Sequence, residues 1–87
     1  MARRRHFNGA GELLLALSED WVELQALRKR LGLNWQTLYN RLGVLEKYGL
    51  IESRYEEAPP GRRFVRLTEK GVRAKRVLEE FYRVLES

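Results

Sequence analysis

Between Leu31 and Leu67 the apolar residues change period once, from that of a helix to that of a strand, and this change limits what the chain can fold into. Leu38, Leu42 and Leu45 fall on one face of a helix at about 100° per residue. Asn34 can cap that helix by accepting a backbone N–H. Gly32 closes the apolar pattern before it, and Gly49 supplies a left-handed stop after it. From Ile51 the alternation is two-fold: Ile51, Ser53 and Tyr55 on one side, Glu52, Arg54 and Glu56 on the other. Ala58-Pro59-Pro60-Gly61 is turn material, stiffened by its prolines. On the return, Val65 and Leu67 point into the core while Phe64 and Arg66 point away. The expectation is a turn, a helix over 34–48, and a two-stranded hairpin with its tip near 58–63.

The face of the helix opposite its leucines carries Gln36, Asn40, Gly43 and Lys47, with Trp35 and Tyr39 on one flank and Thr37 and Arg41 on the other. Glutamine and asparagine are the side chains that grip adenine with two hydrogen bonds in a major groove. Glycine costs a helix about 1 kcal/mol relative to alanine, so Gly43 is either a tolerated surface residue or a place where another backbone comes close. Trp35 and Tyr39 lie at the edge of the buried stripe, Trp35 placed for packing and Tyr39 for contact with DNA. Arg62 and Arg63 beside the proline-glycine tip make a short cationic finger, set against the plainer reading of a solvated basic loop.

Around this unit the chain reads as support. Residues 1–8 hold Arg3, Arg4, Arg5 and His6 without apolar period. They form a basic arm able to reach a minor groove, or a solubilising tail. Gly11 to Leu17 is a short helix with Leu13, Leu14 and Leu17 buried, followed by a turn at Ser18-Glu19-Asp20 and a brief extended piece at Trp21-Val22. A second helix runs from Glu23 to Leu31 on Leu24, Leu27 and Leu31. Its terminal Arg28, Lys29 and Arg30 suit the negative end of the helix dipole or a phosphate backbone. Thr68 caps a last helix reaching Leu85, whose stripe of Val77, Leu78, Phe81, Val84 and Leu85, widened by Tyr82, exceeds what one small core absorbs.

LGLNWQTLYNRLGVLEKYGLIE followed by PPGRRFVRLTEKG resembles the winged-helix regulators of the MarR and PadR groups. The shared features are a leucine-glycine turn, the helix pattern LxxLEKxGLI, a wing ending in GRR and an LTEKG opening the last helix; TLYNRLGVLEKYGLIE is particularly PadR-like. The resemblance spans roughly residues 12 to 75. It implies a mainly α fold with a small β-hairpin: a three-helix core, a β wing and a C-terminal helix. The chain then divides into a basic arm over 1–8, a winged helix-turn-helix over 9–67, and a dimerisation helix over 68–87. Such regulators put the third helix into the major groove and the wing tip on the backbone or minor groove. Carried over, this implicates Trp35, Gln36, Thr37, Tyr39, Asn40, Arg41 and Lys47 in the helix and Arg62 and Arg63 in the wing. Beside what the resemblance implies, Arg3, Arg4 and Arg5 are candidate arm contacts, and Val77, Leu78, Phe81, Val84 and Leu85 a candidate dimer seam. PadR-type proteins usually append a longer helical domain and MarR-type proteins flank the motif with long helices; this chain has room for neither, which leaves a small-molecule effector undetermined.

Composition agrees and narrows the classes. Eighty-seven residues make one domain with a modest core. Lys and Arg number 17 against 12 Asp and Glu, a net +5 with a pI near 10.0, which suits a polyanionic partner. Arginine far outnumbers lysine, a lean toward a thermophilic or archaeal source that varies between families. There is no cysteine, so disulfides and thiolate metal sites are excluded. No apolar run is long enough to cross a bilayer and no signal-peptide pattern is read in the sequence; the expected location is the cytoplasm, at the nucleoid. One histidine, three serines and no phosphate-binding glycine loop supply no nucleophile, base and orienter set. The chain is expected to be no enzyme, with no metal or cofactor. The expected function is a sequence-specific double-stranded DNA-binding regulator, a repressor acting as a homodimer. The alternatives are a winged helix serving as a protein-protein module in a transcription or replication assembly, or a low-specificity chromatin protein.

Overall fold

Local signals place most of the elements. In the computed structural model, which describes residues 9–87, they are α1 (Gly9–Ala16), β1 (Val22–Glu23), α2 (Leu24–Leu31), α3 (Trp35–Lys47), β2 (Ile51–Glu56), β3 (Arg62–Leu67) and α4 (Glu69–Glu86). The expected arm contacts Arg3, Arg4 and Arg5 lie outside the described residues. Asn34 caps α3 as expected, its Oδ1 accepting from the Thr37 N–H at 2.8 Å. Both helix ends around α3 close in one way. The N–H of Gly32 donates to the Lys29 carbonyl and that of Leu33 to Arg28; the N–H of Gly49 donates to Glu46 and that of Leu50 to Leu45. These paired bonds need a left-handed residue, and Gly32 and Gly49 supply it at φ 68° and 73°.

The core is leucine-rich and shared among α1, α2, α3 and the sheet, with α4 packed at its edge. Leu13 and Leu17 from the α1 segment, Leu27 from α2, Leu38 and Leu42 from α3 and Val65 from β3 are essentially inaccessible. Complete burial of each contributes about 1.5–3 kcal/mol relative to exposure. Leu31, expected in the core, is half-buried at its edge. α1 begins earlier than its leucine pattern indicates, because Ala10 is drawn into the core.

The sheet is antiparallel in the order β1-β3-β2. β1 therefore adds a third strand along the middle of β3: Val22 pairs with Val65 and Glu23 with Phe64. The extended piece expected at Trp21-Val22 lies one residue later, and Trp21 instead lays its ring beneath the guanidinium groups of Arg54 and Arg66, at 4.7 and 4.5 Å.

α4 is tied to this frame at its start. Thr68 Oγ1 accepts from the Gly71 N–H and donates to the Gly49 carbonyl, and the Thr68 N–H donates to the Leu50 carbonyl. Gly71 rests against that same Leu50 carbonyl so closely that a Cβ would collide with it. Val72, Ala74 and Leu78 pack on the core, and Lys75 Nζ donates to the Leu17 carbonyl at 2.7 Å. Beyond Leu78 the helix leaves the core, which draws the molecule out to 48 × 28 × 19 Å.

Candidate nucleic-acid interface

α3 turns its leucines inward, and the remaining surface divides as the helical period requires. Gln36, Asn40, Gly43 and Lys47 stand open to solvent on one face. Among the described residues nothing lies within 4 Å of where a Gly43 Cβ would be, so none of them accounts for this glycine by close approach. It leaves bare backbone at the middle of the outward face.

The two flanks have different neighbours. Arg41 faces α1: its guanidinium lies against Gly9, where a Cβ would collide with it, and 3.7 Å from Glu12. Arg41 thus joins α3 to α1 instead of projecting outward with Gln36 and Asn40. Thr37 on the same side is half-buried. The other flank faces the hairpin, with Trp35 and Tyr39 stacked at 5.5 Å between centroids and 24° between planes. Arg28 lies 4.9 Å from the Trp35 centroid while its Nη1 donates to the Leu33 carbonyl at 3.1 Å. Arg63 lies 5.9 Å from the Tyr39 centroid and 5.5 Å from that of Tyr55. Cations and rings within about 6 Å attract through the ring quadrupole, so Arg28, Trp35, Tyr39, Arg63 and Tyr55 form one stack from the end of α2 to β2. Beside it a cleft of about 450 Å³ opens between α2, α3 and the wing, with Gln25, Gly61 and Arg62 on its walls.

The cationic finger expected from Arg62 and Arg63 is not what the structure places at the wing. Arg62 is half exposed and lies 3.9 Å from Glu23. Arg63 turns inward, its side chain 17% exposed, with Nη2 donating to Glu46 Oε2 and to Ser53 Oγ, each at 3.1 Å. The reason is strand parity. Residues two apart share a face, so Arg63 goes with the buried Val65 and Leu67, directly across from Tyr55. That signal is present in the sequence. Its partner Glu46 is not signalled there, since it comes from α3, 17 residues earlier. Glu56 and Glu57 near the tip leave the wing close to electrically neutral.

The basic end of α2 is also partly engaged. Arg28 serves the Leu33 carbonyl and Arg30 the Ala16 carbonyl at 3.2 Å, while Lys29 is exposed. On α4, Leu78 belongs to the core edge and not to the exposed stripe. Val77, Phe81, Val84 and Leu85 are exposed, at 70, 43, 61 and 50%; the first three line a shallow apolar groove with Arg76 and Glu80. Among the described residues no group of His, Asp and Glu side chains could hold a metal ion, and no helix is long and apolar enough to cross a membrane.

A helical core closed by a three-stranded sheet, with a polar-faced helix set beside a two-stranded wing, defines a winged helix-turn-helix protein. No protein-family model and no curated protein matches the sequence, but solved structures do. A PadR family transcriptional regulator from Eggerthella lenta is 30% identical over 85% of this chain and 70% of its own, with a TM-score of 0.71. The transcriptional regulator homologue protein from Pyrococcus horikoshii is 22% identical over 88% of this chain and 75% of its own, TM-score 0.73. FabT of Streptococcus pneumoniae, solved in complex with DNA, is 21% identical over 97% of this chain and 60% of its own, TM-score 0.73. The chain belongs to the winged helix-turn-helix transcriptional regulators of the PadR/MarR type.

Proposed function

We propose that this protein binds double-stranded DNA sequence-specifically as a homodimer and represses transcription, working at the nucleoid in the cytoplasm and performing no chemistry of its own. The observation that carries the reading is the outward face of α3. Gln36 and Asn40 stand free on it, one turn apart, with the uncovered backbone of Gly43 one turn further on. Amide side chains that can make paired hydrogen bonds to adenine edges give choice between sequences. Lys47, Arg62, Trp35 and Tyr39 surround that face and reach phosphates and sugars, contacts that position the helix without reading sequence. Arg41 and Arg63, engaged inside the fold, drop out of the contact set. FabT, which shares this fold, was solved in complex with DNA.

The dimer is formed through the exposed stripe of α4, Val77, Phe81, Val84 and Leu85. A two-fold axis makes such a patch self-complementary and sets two copies of α3 on successive major grooves, roughly 34–36 Å apart. Selection of bound fragments from a random duplex pool tests the whole reading. An inverted-repeat consensus is expected. Uniform recovery of all sequences replaces it with a low-specificity chromatin protein, and no recovery at low salt replaces it with a protein-protein module.

A further inference from the structure

The wing arginine nearest α3 is the group that charge alone would assign to DNA, and the structure gives it other work. The guanidinium of Arg63 is held from three sides. Glu46 of α3 and Ser53 of β2 accept from the same nitrogen at 3.1 Å, and the rings of Tyr39 and Tyr55 lie at 5.9 and 5.5 Å. Ser53 Oγ also donates to Glu46 Oε2, at 3.4 Å. Tyr39 in turn stacks on Trp35, which carries Arg28. Besides the short link through Gly49 and Leu50, this cluster joins the hairpin to α3 outside the core. A planar cation fits between two rings while bonding at its edge; an ammonium does not.

Resting on the DNA-binding reading above, we propose that Arg63 is a positioning residue. With Glu46 and Ser53 it locks the wing to α3 and fixes the Tyr39–Trp35 flank, so that selectivity depends on it although it touches no DNA. Glu46 gives the proposal its sharpest consequence. A carboxylate on the helix that enters the groove repels phosphate, so if it did nothing else its removal would tighten binding. As the anchor of the lock, its removal weakens binding to the selected site.

The test compares Glu46→Gln, Arg63→Lys and the unaltered protein on the selected site and on random duplex across a salt series, together with amide exchange of the DNA-free proteins over β2 and β3. The expected result is that both variants lose about tenfold on the selected site, the scale of one charge-assisted hydrogen bond, and much less on random duplex. Both are expected to exchange faster throughout the hairpin, and Arg63→Lys to keep an unchanged salt slope. The proposal is overturned if Glu46→Gln binds more tightly with unaltered exchange, or if Arg63→Lys binds as the unaltered protein does. It is also overturned if Arg63→Gln lowers the salt slope by about 0.9, the signature of a lost phosphate contact. Failure of the unaltered protein to bind any duplex sinks the DNA-binding reading instead, and the exchange arm still decides whether Arg63 locks the wing.

Discussion

Asn40 and Gly71 show how differently two small residues act in this fold. Asn40 is exposed and makes no structural bond among those described, so its substitution leaves stability alone and alters recognition. Asn40→Ala is expected to cost about 1–3 kcal/mol on the selected site and little on random duplex; titration of both sites measures the difference, and an equal loss on each removes Asn40 from base readout. Gly71 has the opposite character. It is buried at the start of α4, against the Leu50 carbonyl. In an open helix alanine would be preferred to glycine, but here its Cβ meets backbone that has no rotamer to escape into. Gly71→Ala is expected to destabilise by about 1–3 kcal/mol, as overpacking does, measured by urea unfolding. A stabilised variant would mean that the α4–Leu50 contact is looser than described.

At the scale of elements, α3 and α4 are each begun by a side-chain cap and each divide into parts with different roles. The Asn34 cap holds the first turn of α3, where Trp35 and Gln36 sit. Asn34→Ala is expected to cost about 1 kcal/mol and to weaken DNA binding more than Leu33→Met, since it frays the end of the helix that carries the contacts. In α4 the division lies at Leu78: the residues before it pack on α1 and β3, and those after it leave the core. Phe81, with its free apolar neighbours, is the centre of the exposed half. Phe81→Glu is expected to yield a folded monomer with much weaker binding to an inverted repeat. Sedimentation velocity and circular dichroism read the two effects separately, and an unaltered protein that is monomeric at high micromolar concentration rules out the dimer.

For the molecule as a whole, net charge states that a polyanion is attractive but not where it is met. Of the cations near α3, Arg41 is paired with Glu12, Arg62 with Glu23 and Arg63 with Glu46. Lys29 and Lys47 are exposed. Binding is expected to fall steeply with salt, each phosphate contact adding about 0.9 to the slope of log affinity against log salt. Lys47→Gln is expected to lower that slope by about one such step per protomer, whereas Arg41→Gln leaves it unchanged and lowers the melting temperature. A slope that responds to Arg41 and not to Lys47 would reverse this map.

What the sequence determined by itself is whatever is decided within a turn or a strand's length. The Leu38, Leu42 and Leu45 face, the Asn34 and Thr68 caps, the stops at Gly32 and Gly49 and the two-fold alternation after Ile51 all rest on neighbours a few residues apart, and the structure has each of them. The outward amide face of α3 follows from the same short-range period, so the centre of the candidate site was legible too. The tertiary structure decided the rest. β1 is two residues long, too short to show a period, and exists because Val65, far along the chain, pairs with Val22. Arg41 and Arg63 carry the same charge as Lys47, but long flexible side chains take the partner nearest in space. Only packing brings Glu12 beside Arg41 and Glu46 beside Arg63. The α4 stripe likewise reads as one apolar face, and only the position of α1 and β3 determines that Leu78 is covered while Val77 and Phe81 are exposed.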